Sequence, residues 1–271
     1  MDTEDEWLKM AREIVEESMV SVRRSLLSCD RLRVVKIKGN KMVRLVDVIA
    51  ERICLRTLRK TVSSFVFISE ESGVETYGKD PRVAVILDPL DGTDCALRGI
   101  PICSISLSIH KYETMKTIAA VVGHPFTKRV FYATSTGAFC NNIPLRPSST
   151  KALEEAFIVT YSSKADRLIA LTKRQRLITA TGMILNYGGP FNIAQVGSGD
   201  VDAFIEFAKG FRCVDFASGA YIAERAGAIV TDMSGRAVVV HPDLNHRSTI
   251  IATCTPELHR KLLEIIKEAS D

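Results

Sequence analysis

Hydrophobic positions along the chain follow two rhythms, one helical and one alternating. Trp7, Met10, Ala11, Ile14, Val15 and Val22 recur at helical spacing, which predicts a first helix over about 4–27. The stretch RLRVVKIKGNKM reads as a basic loop, with Lys38-Gly39-Asn40 as its turn. Val46, Ile49, Ile53 and Leu58 predict a second helix over 44–60. Residues 65–68 and 83–87 are short apolar runs of the kind that buried strands show. The second run is cut off by Asp88-Pro89. From Ser104 to His110, Ile105, Leu107 and Ile109 alternate with polar residues, the period of a strand. Further strands are expected at 118–122 and 130–133.

The loop IPLRPSST at 143–150 is the best boundary between an N-terminal half, 1–145, and a C-terminal half, 150–271. Beyond it, strands at 157–160, 203–207, 229–230 and 249–252 alternate with a helix over 216–226 that Gly227 ends. Thr255-Pro256-Glu257 opens a last helix, with threonine as cap and proline at the first helical position. The pattern predicts an α/β protein, one compact unit with its site between the halves.

Acidic residues sharpen that picture. In DPLDGTD, Asp88, Asp91 and Asp94 follow a strand within seven positions, with Gly92 allowing a tight turn and Thr93 adding a hydroxyl. Clustered carboxylates suit a hard divalent cation, because Mg²⁺ takes oxygen ligands and few of them from protein. A helix opening near Gly92 would aim free N–H groups at the same spot, ready for an anion. Metal and anion at one strand end point to phosphate-ester chemistry. Glu70-Glu71 after the 65–68 strand and Asp215 in CVDFASG are further candidates, although an isolated acid there is accounted for by solvation or, for Asp215, by helix N-capping.

Composition excludes several classes. The 271 residues are 46% hydrophobic and 25% charged, ordinary for a globular protein. A net charge of +4, spread rather than clustered apart from Lys36, Lys38, Lys41 and Arg44, makes no case for nucleic acid. No apolar run spans a bilayer, and the acidic MDTEDEW start is no signal peptide. Seven scattered cysteines without a CxxC pair read as reduced thiols of a cytoplasmic protein. The five histidines lack metal-ligand spacing, the glycines make no dinucleotide fingerprint, and GxSxG is absent. Ser148 and Lys151 fit S-x-x-K only by coincidence in a polar loop.

Taken together, DPLDGTD, FISEESG and CVDFASGAYIAERAGAIVTDMSG, with the N-terminal helix pair, resemble the inositol monophosphatase family of Mg²⁺-dependent, lithium-sensitive phosphatases. The archaeal-type fructose-1,6-bisphosphatase/inositol monophosphatase branch is the nearest fit. The resemblance implies a layered αβαβα sandwich, two or three Mg²⁺ ions (with Mn²⁺ an acceptable substitute), a small phosphorylated substrate and a homodimer. It implies that Glu70, Asp88 and the Leu90 carbonyl hold one ion, and that Asp88, Asp91 and Asp215 hold a second. Glu70, Asp47 and Thr93 carry the catalytic roles, the last two as a hydroxyl–carboxylate pair beside the attacking water. Gly92 and Thr93 offer N–H groups to the phosphate, and Asp91, Asp215, Gly188 and Gly189 lie on the substrate side. Lys36 and Lys38 fall where the family has a mobile, metal-associated loop.

The chain also departs from the family. Asp94 stands where a neutral residue is usual, and Val214 replaces a tryptophan. Leu185-Asn186-Tyr187-Gly188 lacks the family's arginine, and Ala208 stands where relatives have Glu or Arg. The metal centre reads as intact and the substrate pocket as atypical, with Lys209 and Arg212 the candidates for a second phosphate. Two rivals follow: a 3′-phosphonucleotide or NADP phosphatase, and a non-catalytic metal-binding regulatory protein.

Overall fold

A computed structural model describes residues 1, 3–28, 32–38, 41–161 and 175–268. The Gly39-Asn40 turn lies outside the described residues, as do the side chains of Lys38, Lys41 and Ala208. Two helices open the chain, α1 (Glu4–Leu26) and α2 (Leu45–Thr61). Between them, the expected basic loop is instead a two-stranded antiparallel ribbon of β1 (Val34–Lys38) and β2 (Lys41–Arg44). Val34, Val35 and Ile37 satisfy strand propensity there, although all three are exposed.

Eight strands then form one mixed sheet. They are β3 (Phe65–Ser69), β4 (Gly73–Tyr77), β5 (Val83–Asp91), β6 (Ser104–Lys111), β7 (Thr117–Gly123), β8 (Val130–Thr134), β9 (Gly137–Cys140) and β10 (Ile143–Pro144). Their order is β10-β9-β8-β7-β6-β5-β3-β4. A second sheet holds β11 (Phe157–Tyr161), β12 (Met183–Asn186), β13 (Ala203–Phe211), β14 (Ile229–Thr231) and β15 (Ser248–Thr253), in the order β12-β11-β13-β15-β14. The connecting helices are α3 (Thr93–Leu97), α4 (Pro190–Ser198), α5 (Cys213–Ala226) and α6 (Pro256–Glu268).

Burial assembles these into five layers. Trp7, Ile14 and Leu58 of α1 and α2 pack with Phe65, Val85 and Leu107 on one face of the large sheet. On its other face, Val66, Ile68 and Ile86 meet Phe216, Ala217 and Ala220 of α5, which also touch Phe204 and Ile250 of the small sheet. Leu258, Leu262 and Ile266 of α6 close the far side of that sheet over Ile158, Ile205 and Ile251. The order is α, β, α, β, α, as the resemblance implied.

Two expectations are corrected. The 83–87 strand is not cut off at Asp88-Pro89: β5 runs on to Asp91 by a register break between Asp88 and Asp91. A bulge tolerates the N–H that Pro89 lacks. On β6, the strand expected at 104–110, the polar positions Ser104, Ser106, Ser108 and His110 are buried as well, beneath the middle helix layer. The 216–226 helix starts earlier, at Cys213, so Asp215 is its third residue rather than its N-cap, which is Arg212.

Candidate active site

The strand-end acids meet in one cavity of about 730 Å³ between the two sheets. Glu70 enters from the end of β3, Asp88 and Asp91 from the bulged end of β5, and Asp215 from the first turn of α5. Asp47, third residue of α2, enters from the outer layer. Of the expected site residues, Leu90, Gly92, Thr93, Asp94, Gly188, Gly189, Lys209 and Arg212 line the cavity too. Glu71 is buried and does not line it. Lys36 lies on the exposed ribbon and does not line it either.

The carboxylates crowd one another. Asp88 is 2% exposed, and burial together with Glu70, Asp91 and Asp215 holds its carboxyl well above the usual range. Asp91 is pushed up to about 7 by burial, then by Asp215 and Glu70, with Arg212 and the Gly92 N–H pulling the other way. Asp88 Oδ1 accepts the Leu90 N–H at 3.1 Å, which curls the bulge around its own acid.

Thr93 sits at the hinge between metal-type ligands and α2. Its hydroxyl lies 2.7 Å from the Leu90 carbonyl and 2.9 Å from Asp47 Oδ1. The other Asp47 oxygen accepts the Arg44 N–H at 2.9 Å, so the carboxylate is fixed at both ends. Two glycines make room. Gly92 has φ +76 and caps α3, and a methyl there would collide with the Tyr187 hydroxyl and the Ile102 carbonyl. Gly189 lies so close to Asp91 that any side chain would displace that carboxylate. The short α3 has only five residues, so the anion-binding helix dipole expected from DGTD is slight.

Arg212 joins two of the acids. Its Nη2 donates to Glu70 Oε1 at 2.8 Å and to Asp215 Oδ1 at 2.7 Å, and its Nε donates to Asp215 Oδ2 at 2.9 Å. In this structure the guanidinium is bonded to these two acids. Asp94, by contrast, has a side chain 94% exposed beside Arg98 at the mouth. Sequence reasoning missed Arg44, Tyr161, Tyr187, Phe211 and Arg247, which also line the cavity. Tyr187 was legible as the neighbour of Gly188-Gly189. Arg247 carried no signal, since nothing local in LNHRST marks it.

The donor set fits Mg²⁺: four carboxylates and a backbone carbonyl are hard oxygen donors, and their charge far exceeds that of the one guanidinium bonded to them. Comparison with known proteins agrees with this chemistry. Residues 3–271 match the model of the inositol monophosphatase family. A fructose-1,6-bisphosphatase/inositol-1-monophosphatase from Archaeoglobus fulgidus is 33% identical over 98% of this chain and 100% of its own. The Nus factor SuhB of Escherichia coli is 33% identical over 73% of this chain and 74% of its own. The crystal structure of extragenic suppressor protein SuhB from Bartonella henselae superposes with a TM-score of 0.85, at 27% identity, covering 96% of this chain and 98% of that one. With the layered fold, the converging acids and a family match from end to end, the chain belongs to the inositol monophosphatase family and is a phosphoric monoester hydrolase.

Proposed function

We propose that the protein hydrolyses the phosphate monoester of a small sugar or polyol, inositol-1-phosphate or fructose-1,6-bisphosphate, with Mg²⁺ as cofactor. The observation that carries this reading is the convergence of Glu70, Asp88, Asp91 and Asp215 beside the Thr93–Asp47 pair in one cavity. Glu70, Asp88 and the Leu90 carbonyl would hold one ion; Asp88, Asp91 and Asp215 would hold the other. When bound, Mg²⁺ lowers the pKa of a water and neutralises charge on the leaving oxygen.

The chain's own residues supply the rest. Asp47 accepts the Thr93 hydroxyl hydrogen bond, which leaves the Thr93 Oγ lone pairs to orient an attacking water. Lys209 and Arg247, both exposed at the cavity, offer positive charge to a distal phosphate. Tyr161 and Phe211, with ring centroids 5.4 Å apart, form an aromatic wall on which a sugar face packs. The same wall would suit a nucleobase, which keeps a 3′-phosphonucleotide as the second reading.

The dimer expected for the family is part of the proposal. Met183 and Leu185 stand exposed on the edge strand β12, where a second copy would cover them. A cytoplasmic setting and lithium sensitivity are proposed with it. No described helix is long and apolar enough to cross a membrane.

Phosphate release from inositol phosphates, fructose-1,6-bisphosphate and 3′-phosphonucleotides, with and without Mg²⁺, tests the reading. Turnover of a sugar or polyol phosphate only with Mg²⁺ is expected. Turnover of nucleotides alone would select the second reading, and no turnover of any would leave the regulatory rival. Asp88→Asn is expected to abolish activity while thermal unfolding stays cooperative; an active variant would overturn the ligand assignment.

A further inference from the structure

Arg212 is placed against the electrostatics of its own helix. It is the N-cap of α5, where the helix dipole disfavours a cation. What holds it is the acids. One atom, Nη2, bonds Glu70 and Asp215 together at 2.8 and 2.7 Å, while Nε takes the second Asp215 oxygen. The two carboxylates reach that nitrogen from different layers, Glu70 from the large sheet and Asp215 from the middle helices. Among the described residues, no three acidic, histidine or cysteine side chains close round one point as the ligands of an ion do. The guanidinium stands among them instead.

We infer that Arg212 is a resident counter-cation which a divalent ion must displace from Glu70 and Asp215, so that Arg212 sets how tightly the site binds metal. This rests on the metal-site reading proposed above. A Mg²⁺ ion sits about 2.1 Å from its ligand oxygens. On Asp215 Oδ1 it would lie within about 5 Å of Nη2, which is 2.7 Å from that same oxygen. Two positive centres that close repel strongly in a partly buried site, so the arginine must turn away before the ion is fully held. The Arg212 side chain is 23% exposed, which leaves it a path into the cavity. Its backbone N–H, bonded to Asp215 Oδ2 at 2.8 Å, holds Asp215 in place when the side chain leaves. The device keeps the metal-free site from flying apart, at the cost of weaker metal binding.

Mn²⁺ titration followed by the electron paramagnetic resonance signal of the free ion measures this without reference to turnover. Arg212→Gln keeps a hydrogen-bonding amide and loses the charge. It is expected to bind Mn²⁺ about tenfold more tightly than the unaltered protein, with Arg212→Lys between them. The metal-free Arg212→Gln protein should melt at lower temperature, and Mn²⁺ should raise its melting point by more than it raises that of the unaltered protein. If Arg212→Gln does not fold without metal, the comparison is made with Arg212→Lys. Equal or weaker Mn²⁺ binding by the variants, with the unaltered protein binding normally, overturns the inference and leaves the metal site standing. Binding by none of the three overturns both.

Discussion

A single hydroxyl proton decides what Thr93 does. The Leu90 carbonyl and Asp47 Oδ1 both lie within its reach, at 2.7 and 2.9 Å, and both are acceptors. A threonine has one proton to give and two lone pairs that accept. Given to Asp47, the proton leaves those lone pairs for a water. Thr93→Ala removes this orientation and nothing else of size, so kcat should fall about 100-fold with the melting temperature little changed. A variant at full rate would show that the pair is structural. Arg247 offers a separate test, because it is exposed at the cavity. Arg247→Ala should raise KM for a bisphosphorylated sugar about tenfold and leave that of a monophosphate unchanged. Equal effects on the two would remove it from the distal-phosphate role.

Elements, rather than residues, explain why the middle helix layer packs as it does. Helix α5 is built of small residues, CVDFASGAYIAERA, and lies between two sheets. Ser218 on this helix is 2% exposed, and its hydroxyl has no protein partner among the described residues. An unpaired buried hydroxyl costs about 1–3 kcal/mol. Ser218→Ala should therefore raise stability by about 1 kcal/mol in thermal or denaturant unfolding. A loss of stability would reveal a partner, such as an enclosed water. The same helix shows where the sequence was readable. Its apolar run and closing Gly227 were plain, but its start was not, because Arg212 is no usual N-cap and only the fold brings Glu70 to its side chain. Long periodic helices such as α1 and α2 announced themselves. β12 did not, since MILN is short and mostly exposed, and α4 was masked by the glycines on either side of PFNIAQVGS. The converging acids were legible because DPLDGTD and FISEESG keep them in local motifs. Arg247 and Tyr161 were not, because the residue before β15 and the end of β11 reach the cavity only once the sheets have formed.

Across the whole molecule, buried neutral histidines make stability depend on pH. His110 on β6 is fully buried, Nδ1 facing the Met115 carbonyl at 3.1 Å and Nε2 the Ser108 hydroxyl at 2.8 Å. The carbonyl needs an N–H, so Nδ1 carries the proton and Nε2 accepts. Burial lowers its pKa from 6.5 to about 4, the Met115 bond opposing in part. His124, beside the Pro101 carbonyl, and His259, between Thr231 and Thr253, are lowered too, again chiefly by burial. A lowered folded pKa means the unfolded chain takes up the proton first. The stability His110 contributes is complete above pH 6.5 and drains away as pH falls toward 4, and His124 and His259 act in the same direction. At roughly 1.4 kcal/mol per pKa unit, His110 alone accounts for about 3 kcal/mol across that window. Thermal unfolding at saturating Mg²⁺, which keeps the site acids from titrating, should show melting temperature already declining between pH 6.5 and 5, above the range of ordinary surface carboxylates. His110→Gln should start less stable but decline less steeply, and that slope is the informative quantity. A flat profile down to pH 5, or an equal slope in the variant, would show that these rings are charged in the folded protein, and their bonds to Met115, Pro101 and the threonines would have to be reassigned.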